Sequence, residues 1–167
     1  MIDIESDGPI PGDYSMISFG AVLINDALDT TFYAKLKPIS ENYIPTALAI
    51  SGHSREETLL FDDPKSVMLR FGEWVIENTN DRPIFISDNN GFDWMFICWY
   101  FHHFTNKNPF GYSSQNLGSI YKGIGKDMSK SFKYLRKRVH SHNPLDDAFG
   151  NAEALLIMKK EMGLKIN

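Results

Sequence analysis

Asp3 and Glu5 are the first residues of this sequence whose types and spacing point to chemistry. They lie two positions apart in a predicted strand, and because strand side chains alternate between faces, both carboxylates project to the same side. Two carboxylates on one face form a bidentate site for a hard divalent cation. Two acids near a terminus are also typical of a solvated surface, so this pair alone leaves both interpretations open.

Two further acids, Asp93 and Asp147, lie where a predicted helix begins. Asp93 stands among apolar residues after a predicted strand, and an acid in such surroundings needs a partner. Asp147 follows His142 by five residues, and both side chains can converge on one point beyond the helix end. Their alternative role is structural, because an acid in the first turn of a helix stabilises the helix dipole.

A cleft shared by these four acids would require cations. Four ionised carboxylates repel one another and raise each other's pKa unless positive charge is present. Two divalent ions remove that penalty, because their positive charge balances the negative charge of the carboxylates. Ligation by oxygen alone favours Mg²⁺ or Mn²⁺ over a structural zinc ion.

Hydrophobic periodicity indicates the elements that must position these acids. An antiparallel meander is expected from three predicted strands, over residues 1–5, 15–24 and 32–37. A fourth strand is predicted over residues 83–87. The predicted helices cover residues 64–78, 91–104, 129–138 and 144–162. This order predicts one α/β domain over residues 1–167, with a central mixed sheet flanked by helices.

Length and composition exclude several classes of protein. The chain has 167 residues, 43% hydrophobic and 23% charged, which favours a globular fold over a disordered or fibrous chain. The longest apolar run, residues 92–101, is about half of what a bilayer-spanning helix needs, and no secretory signal is visible. We therefore expect a cytoplasmic protein without a membrane partner. The single cysteine, Cys98, excludes an intramolecular disulfide, and the formal charge of −4 argues against a protein that coats nucleic acid.

Three motifs in this order resemble those of the DEDDh 3′–5′ exonucleases, a family of the ribonuclease H-like superfamily that includes ribonuclease T, oligoribonuclease and proofreading subunits of DNA polymerases. The D-x-E motif is present as Asp3 and Glu5, and the N-x-x-F-D motif runs from Asn89 to Asp93. The H-x-x-x-x-D motif runs from His142 to Asp147. A sister group places tyrosine four residues before the last acid, and that position here is Asn143.

The resemblance implies a fold, a reaction and roles for residues. It implies a ribonuclease H-like fold in which Asp3, Glu5, Asp93 and Asp147 hold two divalent ions, Mg²⁺ or Mn²⁺, about 3.5–4 Å apart. His142 would be the general base, since imidazole exchanges protons near neutral pH. The product would be a nucleoside 5′-monophosphate released from the 3′ end of single-stranded nucleic acid. The implied substrate-binding residues are Ser6, Asn89, Phe92 and Trp94.

Positive charge is concentrated in one segment before His142. Its basic residues are Lys126, Lys130, Lys133, Arg136, Lys137 and Arg138. The segment fits either a solvated helix face or a track for phosphates, and in the second case Lys133 and Arg136 would guide the strand towards the metals.

Three functions stay open from the sequence. The leading one is an exonuclease that prefers RNA, because compact free-standing members of the family often act on RNA. The second is a catalytically silent nucleic-acid-binding module of the same fold, and the third is a metal-dependent hydrolase of small phosphate substrates. Relatives such as ribonuclease T are homodimers, so the resemblance also raises a homodimer as an expectation. Departures from the family pattern include additional acids at Asp7 and Asp88, Pro144 in place of a small residue, and His53 in place of an apolar one.

Overall fold

A computed structural model describes residues 1–166 and contains an α/β arrangement. The strands are β1 (Ile2–Ser6), β2 (Met16–Val22), β3 (Thr31–Lys35), β4 (Phe85–Ser87) and β5 (Ser114–Asn116). The helices are α1 (Pro45–Ile50), α2 (Arg55–Thr58), α3 (Pro64–Glu77), α4 (Asn90–Thr105), α5 (Leu117–Gly125) and α6 (Pro144–Glu161), with a 3₁₀ turn at Lys133–Leu135. None of the helices in residues 1–166 is long and apolar enough to cross a membrane.

The strands form two hydrogen-bonded sheets. β1, β2 and β3 pair antiparallel in that order, as the predicted meander requires, and β4 pairs parallel with β5 beside β1. Helices α3 and α4 cover one face of the meander through a core rich in aromatic rings. Helices α5 and α6 cover the opposite face. The pattern is a layered α/β fold with a buried central sheet.

Gly20 brings the start of α6 against the sheet. It pairs with Asp3 in the β1–β2 register, and a Cβ atom built on it would lie 2.4 Å from the Cα atom of Leu145. No real side chain tolerates that approach to a backbone, so only glycine allows this packing. The first turn of α6, which carries Asp147, therefore packs on β2 at Gly20, the residue that pairs with Asp3 of β1.

The two predicted cap-and-proline helix starts are confirmed. The Asp63 side chain accepts a hydrogen bond from the Ser66 N–H at 2.9 Å, and the Asn143 side chain accepts one from the Leu145 N–H at 3.0 Å. Each cap satisfies a backbone donor that the helix leaves unpaired. Asn143 thus fixes where the polypeptide turns from the histidine-bearing loop into α6.

The predicted helix over residues 129–138 is wrong. This segment is a loop with a single 3₁₀ turn, Lys133–Leu135. Asp127 accepts hydrogen bonds from both the N–H and the hydroxyl of Ser129, and Ser131 accepts one from the Lys133 N–H. Such local bonds compete with the helical pattern.

Candidate active site

The four acids of the three motifs come together between β1, α4 and α6. Oxygen atoms of Asp3, Glu5 and Asp147 lie within 4.8 Å of one another. Oxygen atoms of Asp3, Asp88 and Asp93 form a second group with the same spacing. Asp3 is common to both groups, so the site offers two adjacent positions for a cation.

Local structure explains why each acid points into this site. Asp3 and Glu5 occupy alternate positions of β1 and share a face, while Ile2 and Ile4 point into the core on the other side. Asp93 lies in the first turn of α4, and Asp147 lies in the first turn of α6. Both helix N-termini direct positive dipole ends towards the cluster, which partly offsets the repulsion among the acids.

Burial and mutual repulsion dominate the electrostatics of the cluster. Burial raises the pKa of Asp93 to about 8, with the charge of Asp88 adding to the effect. Burial, assisted by the charge of Asp147, raises the pKa of Glu5 to about 7. The pKa of Asp3 is also raised well above its ordinary value, by burial first and by Asp93 second. Without cations the cluster therefore retains protons at neutral pH.

The acids fit a divalent metal site. Asp93 and Asp147 are at most 3% exposed, and each has one buried carboxylate oxygen without a hydrogen-bond partner. A buried carboxylate oxygen without a partner is costly, and a cation would remove that cost. The ligand atoms are oxygens throughout, which suits a hard divalent ion.

Two histidines border the cluster. The Nδ1 atom of His142 lies 3.8 Å from Oε1 of Glu5, and the ring is half exposed. The Nδ1 atom of His140 lies 2.9 Å from Oδ1 of Asp147, which also accepts a hydrogen bond from the Ser141 N–H. His142 has a left-handed backbone with φ of 57°, which turns the loop sharply before α6. The sequence motif singled out His142 only, and the structure adds His140 as a second imidazole at the site.

Asp88 and Arg136 form an ion pair beside the metal-binding acids. The Arg136 guanidinium donates to Asp88 at 2.6 Å, and its side chain is only 8% exposed. The guanidinium also lies over the Phe132 ring, and its aliphatic part lies near Gly150 of α6. Asp88 is thus a fifth carboxylate in the site, noted in the sequence only as a departure from the family pattern. Its position directly after β4, five residues before Asp93, is the signal that locates it.

An open pocket of about 480 Å³ is lined by four of the five acids, all except Asp147, together with basic residues. Asn89 and Lys133 line it, Asn89 as the exposed residue before α4 and Lys133 as an exposed residue of the 3₁₀ turn. Phe92 lines this pocket and also a neighbouring apolar pocket of about 340 Å³ that includes Ser6. The Ser6 hydroxyl donates to the Gly8 carbonyl at 2.7 Å.

Trp94 lies apart from these two pockets. Its ring packs against Phe85 and Phe110, and its free edge borders a shallow surface formed by α4. The structure therefore does not bring Trp94 together with the other predicted substrate-binding residues. Helical geometry explains this, because residues two apart on a helix face different directions.

Comparison with known proteins places this geometry in a family. The 3′-5′ DNA exonuclease Cap18 of Escherichia coli is 34% identical to this chain over 169 residues, which cover 95% of the chain and 90% of Cap18. The chain belongs to the DEDDh 3′–5′ exonuclease family. This exonuclease-family protein is a hydrolase of the nuclease class. No protein-family model matches the sequence.

Solved structures of nucleases share the ribonuclease H-like fold of this exonuclease-family chain. E. coli exonuclease I, in a zinc-bound complex with single-stranded DNA, gives a TM-score of 0.74 at 16% identity; the match covers 96% of this chain and 40% of that protein. Cell-death related nuclease 4 gives a TM-score of 0.72 at 18% identity, covering 95% of this chain and 62% of that protein. A 3′-exonuclease that recognises histone mRNA stem-loop gives a TM-score of 0.75 at 18% identity, and the match covers 99% of this chain and 65% of that protein. The predicted fold is confirmed.

Metal binding should change how stability depends on pH. In metal-free protein the folded state holds protons on Glu5 and Asp93 up to pKa values of about 7 and about 8. The unfolded chain releases them near their ordinary values, so the stability of the metal-free protein falls as pH rises between about 4.5 and 8. Bound Mg²⁺ replaces those protons. We expect the Tm difference between protein in excess Mg²⁺ and protein in EDTA to grow by about 5 °C or more from pH 5 to pH 8.

Differential scanning calorimetry in matched buffers measures this difference. Groups distant from the acids contribute equally with and without Mg²⁺, so their titration cancels. A Tm difference that stays constant across this range would show that the raised carboxyl pKa values are not linked to metal binding.

Proposed function

We propose that this chain is a metal-dependent exonuclease that removes nucleoside 5′-monophosphates one at a time from the 3′ end of single-stranded nucleic acid, with DNA as the substrate. The observation that carries the proposal is that two clusters of three acidic residues share Asp3. The two clusters offer two neighbouring cation positions. Two such positions are what in-line hydrolysis of a phosphodiester uses. The membership of the DEDDh family supports the same reaction.

The proposed ligands are Asp3, Glu5, Asp93 and Asp147, with Mg²⁺ or Mn²⁺ as the ions. When bound, the ions supply Lewis-acid stabilisation of charge on the attacking and departing oxygens. The unpartnered oxygens of Asp93 and Asp147 support their assignment as ligands. Asp88 supplies an oxygen to the second cluster and is proposed to border that cation position, while its pairing with Arg136 offsets part of the negative charge of the site.

His142 is proposed as the general base. Its ring is exposed enough to meet water and lies beside Glu5 at the edge of the acidic cluster. The imidazole would accept a proton from water as the water oxygen bonds to phosphorus. The bond from phosphorus to the 3′ oxygen of the preceding nucleotide then breaks, and that oxygen takes up a proton. The products are a 5′-monophosphate and a strand shortened by one nucleotide.

The apolar pocket beside the acids is proposed to receive the 3′-terminal base. Phe92 separates it from the acidic pocket, so a nucleotide with its phosphate at the metals would place its base against this ring. Ser6 and the backbone after β1 would contact the terminal 3′ hydroxyl, and Asn89 would contact the sugar or phosphate from the opposite rim.

Lys133 is proposed to contact a phosphate of the strand. Lys133→Ala should raise KM about 3- to 10-fold with little change in kcat and should reduce the salt dependence of log KM by about 0.7. Lys159→Ala is the matched control, since Lys159 is an exposed lysine of α6 that pairs with Asp26. Steady-state assays over a range of NaCl concentrations measure both quantities, and an unchanged KM and salt slope would exclude Lys133 from the phosphate track.

Arg136 is a poorer candidate for the same track. Its guanidinium is engaged by Asp88, and only 8% of its side chain is exposed. Its contact with substrate phosphate stays a prediction. A variant at this position would also leave Asp88 unpaired among the other acids, so it does not test phosphate contact alone.

The preference for DNA follows from the name of the 34% identical relative, a 3′-5′ DNA exonuclease. The sequence-based expectation of RNA rests on other compact family members and stays untested, as do the homodimer and the cytoplasmic location. One structural neighbour was solved with single-stranded DNA and another is described with an mRNA stem-loop, so the fold accepts either sugar in different proteins.

The experiment uses 5′-labelled DNA and RNA oligomers of matched sequence with Mg²⁺, with Mn²⁺ or with EDTA, resolved to single nucleotides. A metal-dependent ladder that shortens from the 3′ end, faster on DNA, is the expected result. A faster ladder on RNA would reverse the sugar preference. Intact oligomers in all conditions, from folded protein, would overturn the exonuclease; filter binding and a phosphomonoester assay would then separate a silent binding module from a small-phosphate hydrolase.

A further inference from the structure

Residues 39–44 are fixed to the β1–β2 connection by hydrogen bonds from their backbone N–H groups. The buried Ser15 hydroxyl accepts from the N–H groups of Ile39 at 3.0 Å and Ser40 at 3.3 Å. The Asp7 carbonyl accepts from the Ile44 N–H at 2.8 Å. This segment leads directly into α1, so these bonds set where α1 begins.

Arg55 also holds this segment, through Ser40, to Asp7 of the β1–β2 connection. Its guanidinium donates to a carboxylate oxygen of Asp7 at 3.0 Å and to the Ser40 carbonyl at 2.5 Å. It also lies over the Tyr43 ring, 5.0 Å from the ring centre. Asp7 is fully buried, and its other carboxylate oxygen accepts from the Ser15 N–H. Because Asp7 is buried and the Arg55 side chain is only 15% exposed, water and salt screen this ion pair less than they screen a surface pair.

Helix α1 forms one wall of the apolar pocket that faces Phe92. Ile44, Ala47 and Ile50 line that wall. The helix has only six residues, and its N-cap Ile44 makes no side-chain cap hydrogen bond. A helix this short has little stability of its own, so its position depends on the contacts that fix its ends.

We propose that Arg55 is a positioning residue that holds α1 against the pocket and thereby sets how strongly the 3′-terminal base contributes to substrate binding. The inference rests on the proposed function of the pocket. Arg55 lies on α2, after the helix that it positions, and it hydrogen-bonds to none of the proposed metal ligands. Its effect is therefore on the binding of the terminal nucleotide and not on the chemical step.

The test compares two oligomers that differ only in the 3′-terminal residue, which carries a base in one and is abasic in the other. For the wild-type chain, loss of the base should raise KM about 10-fold. Arg55→Met should raise KM on the ordinary oligomer about 10-fold and leave kcat within about 3-fold. Its KM on the abasic oligomer should be little higher than its KM on the ordinary one. Arg55→Lys retains one charged contact, so removal of the base should raise its KM more than it raises that of Arg55→Met.

Two controls keep this test decisive. Arg70→Met removes a comparable pair with Asp62 that is more than half exposed on both sides, and it should keep the wild-type response to the missing base. Ile50→Ala shortens a half-exposed side chain in the α1 wall of the apolar pocket and leaves the Asp7–Arg55 pair in place. Like Arg55→Met, it should show little rise in KM when the base is removed. If Arg55→Met fails to fold, Arg55→Lys carries the test, and its response to the missing base should be smaller than that of the wild type.

The outcomes separate this inference from the proposed function. A wild-type chain that degrades both oligomers with equal KM, or an Arg55→Met variant that keeps the full penalty for the abasic end, would overturn the positioning role while leaving the exonuclease intact. A wild-type chain that degrades neither oligomer would overturn the exonuclease itself.

Discussion

Asp3→Asn is expected to lower kcat/KM by about 10³-fold or more and to weaken binding of both divalent ions. Asp3 supplies an oxygen to both carboxylate groups, and it is the residue whose loss affects both cation positions at once. An amide retains the shape and one oxygen but removes the negative charge, so each ion loses several kcal/mol of stabilisation. Steady-state kinetics and a calorimetric Mn²⁺ titration measure the two effects.

Asp146→Asn is the matched control for this result. Asp146 lies next to Asp147 on α6, but its side chain is half exposed and pairs with Arg138, 3.5 Å away. The control should change kcat/KM by less than about 3-fold, since exposed pairs contribute little. If Asp3→Asn bound two Mn²⁺ ions with wild-type affinity and retained activity, the assignment of the acids as metal ligands would be wrong.

His142→Ala is expected to lower kcat about 10²- to 10⁴-fold while leaving Mn²⁺ affinity nearly unchanged. The imidazole lies at the edge of the acids and holds no carboxylate at hydrogen-bond distance, so its removal should affect proton transfer more than metal binding. Single-turnover rates with saturating metal separate the chemical step from substrate binding.

His140→Ala provides the comparison within the same loop. His140 contacts Asp147 at 2.9 Å and its ring lies 4.4 Å from that of His142, so it is the competing candidate for the base. Because His140 contacts a proposed metal ligand, we expect its loss to act mainly on Mn²⁺ affinity and to cost less than about 10-fold in kcat when the metal is saturating. A larger loss for His140→Ala than for His142→Ala would move the general base to His140.

Local sequence patterns predicted the parts of the site that depend on one element at a time. Alternation along β1 predicted that Asp3 and Glu5 share a face, and the Asn143-Pro144 start located Asp147 in the first turn of α6. Both are short-range rules of backbone geometry, so they hold whatever the rest of the chain does.

Contacts between distant segments escaped prediction. The sequence predicts Arg136 beside phosphate, whereas the structure pairs it with Asp88, 48 positions away, and no local pattern links residues so far apart in the chain. Gly20 offered no periodic signal, although it allows α6 to approach the sheet. Helices α1 and α2 and strand β5 have six residues or fewer, too few to show a hydrophobic period, and the three glycines of α5 are more typical of a loop.

We propose that the acidic residues around Asp3 hold two divalent ions at the point of cleavage. Crystals of the chain soaked with Mn²⁺ and a nucleoside 5′-monophosphate, with data collected at the manganese absorption edge, test it most directly. We expect two anomalous peaks, each adjacent to the Asp3 carboxylate, with the phosphate against both and the base beside Phe92. Peaks elsewhere on the molecule with none at Asp3, or a phosphate bound away from the acids, would contradict it.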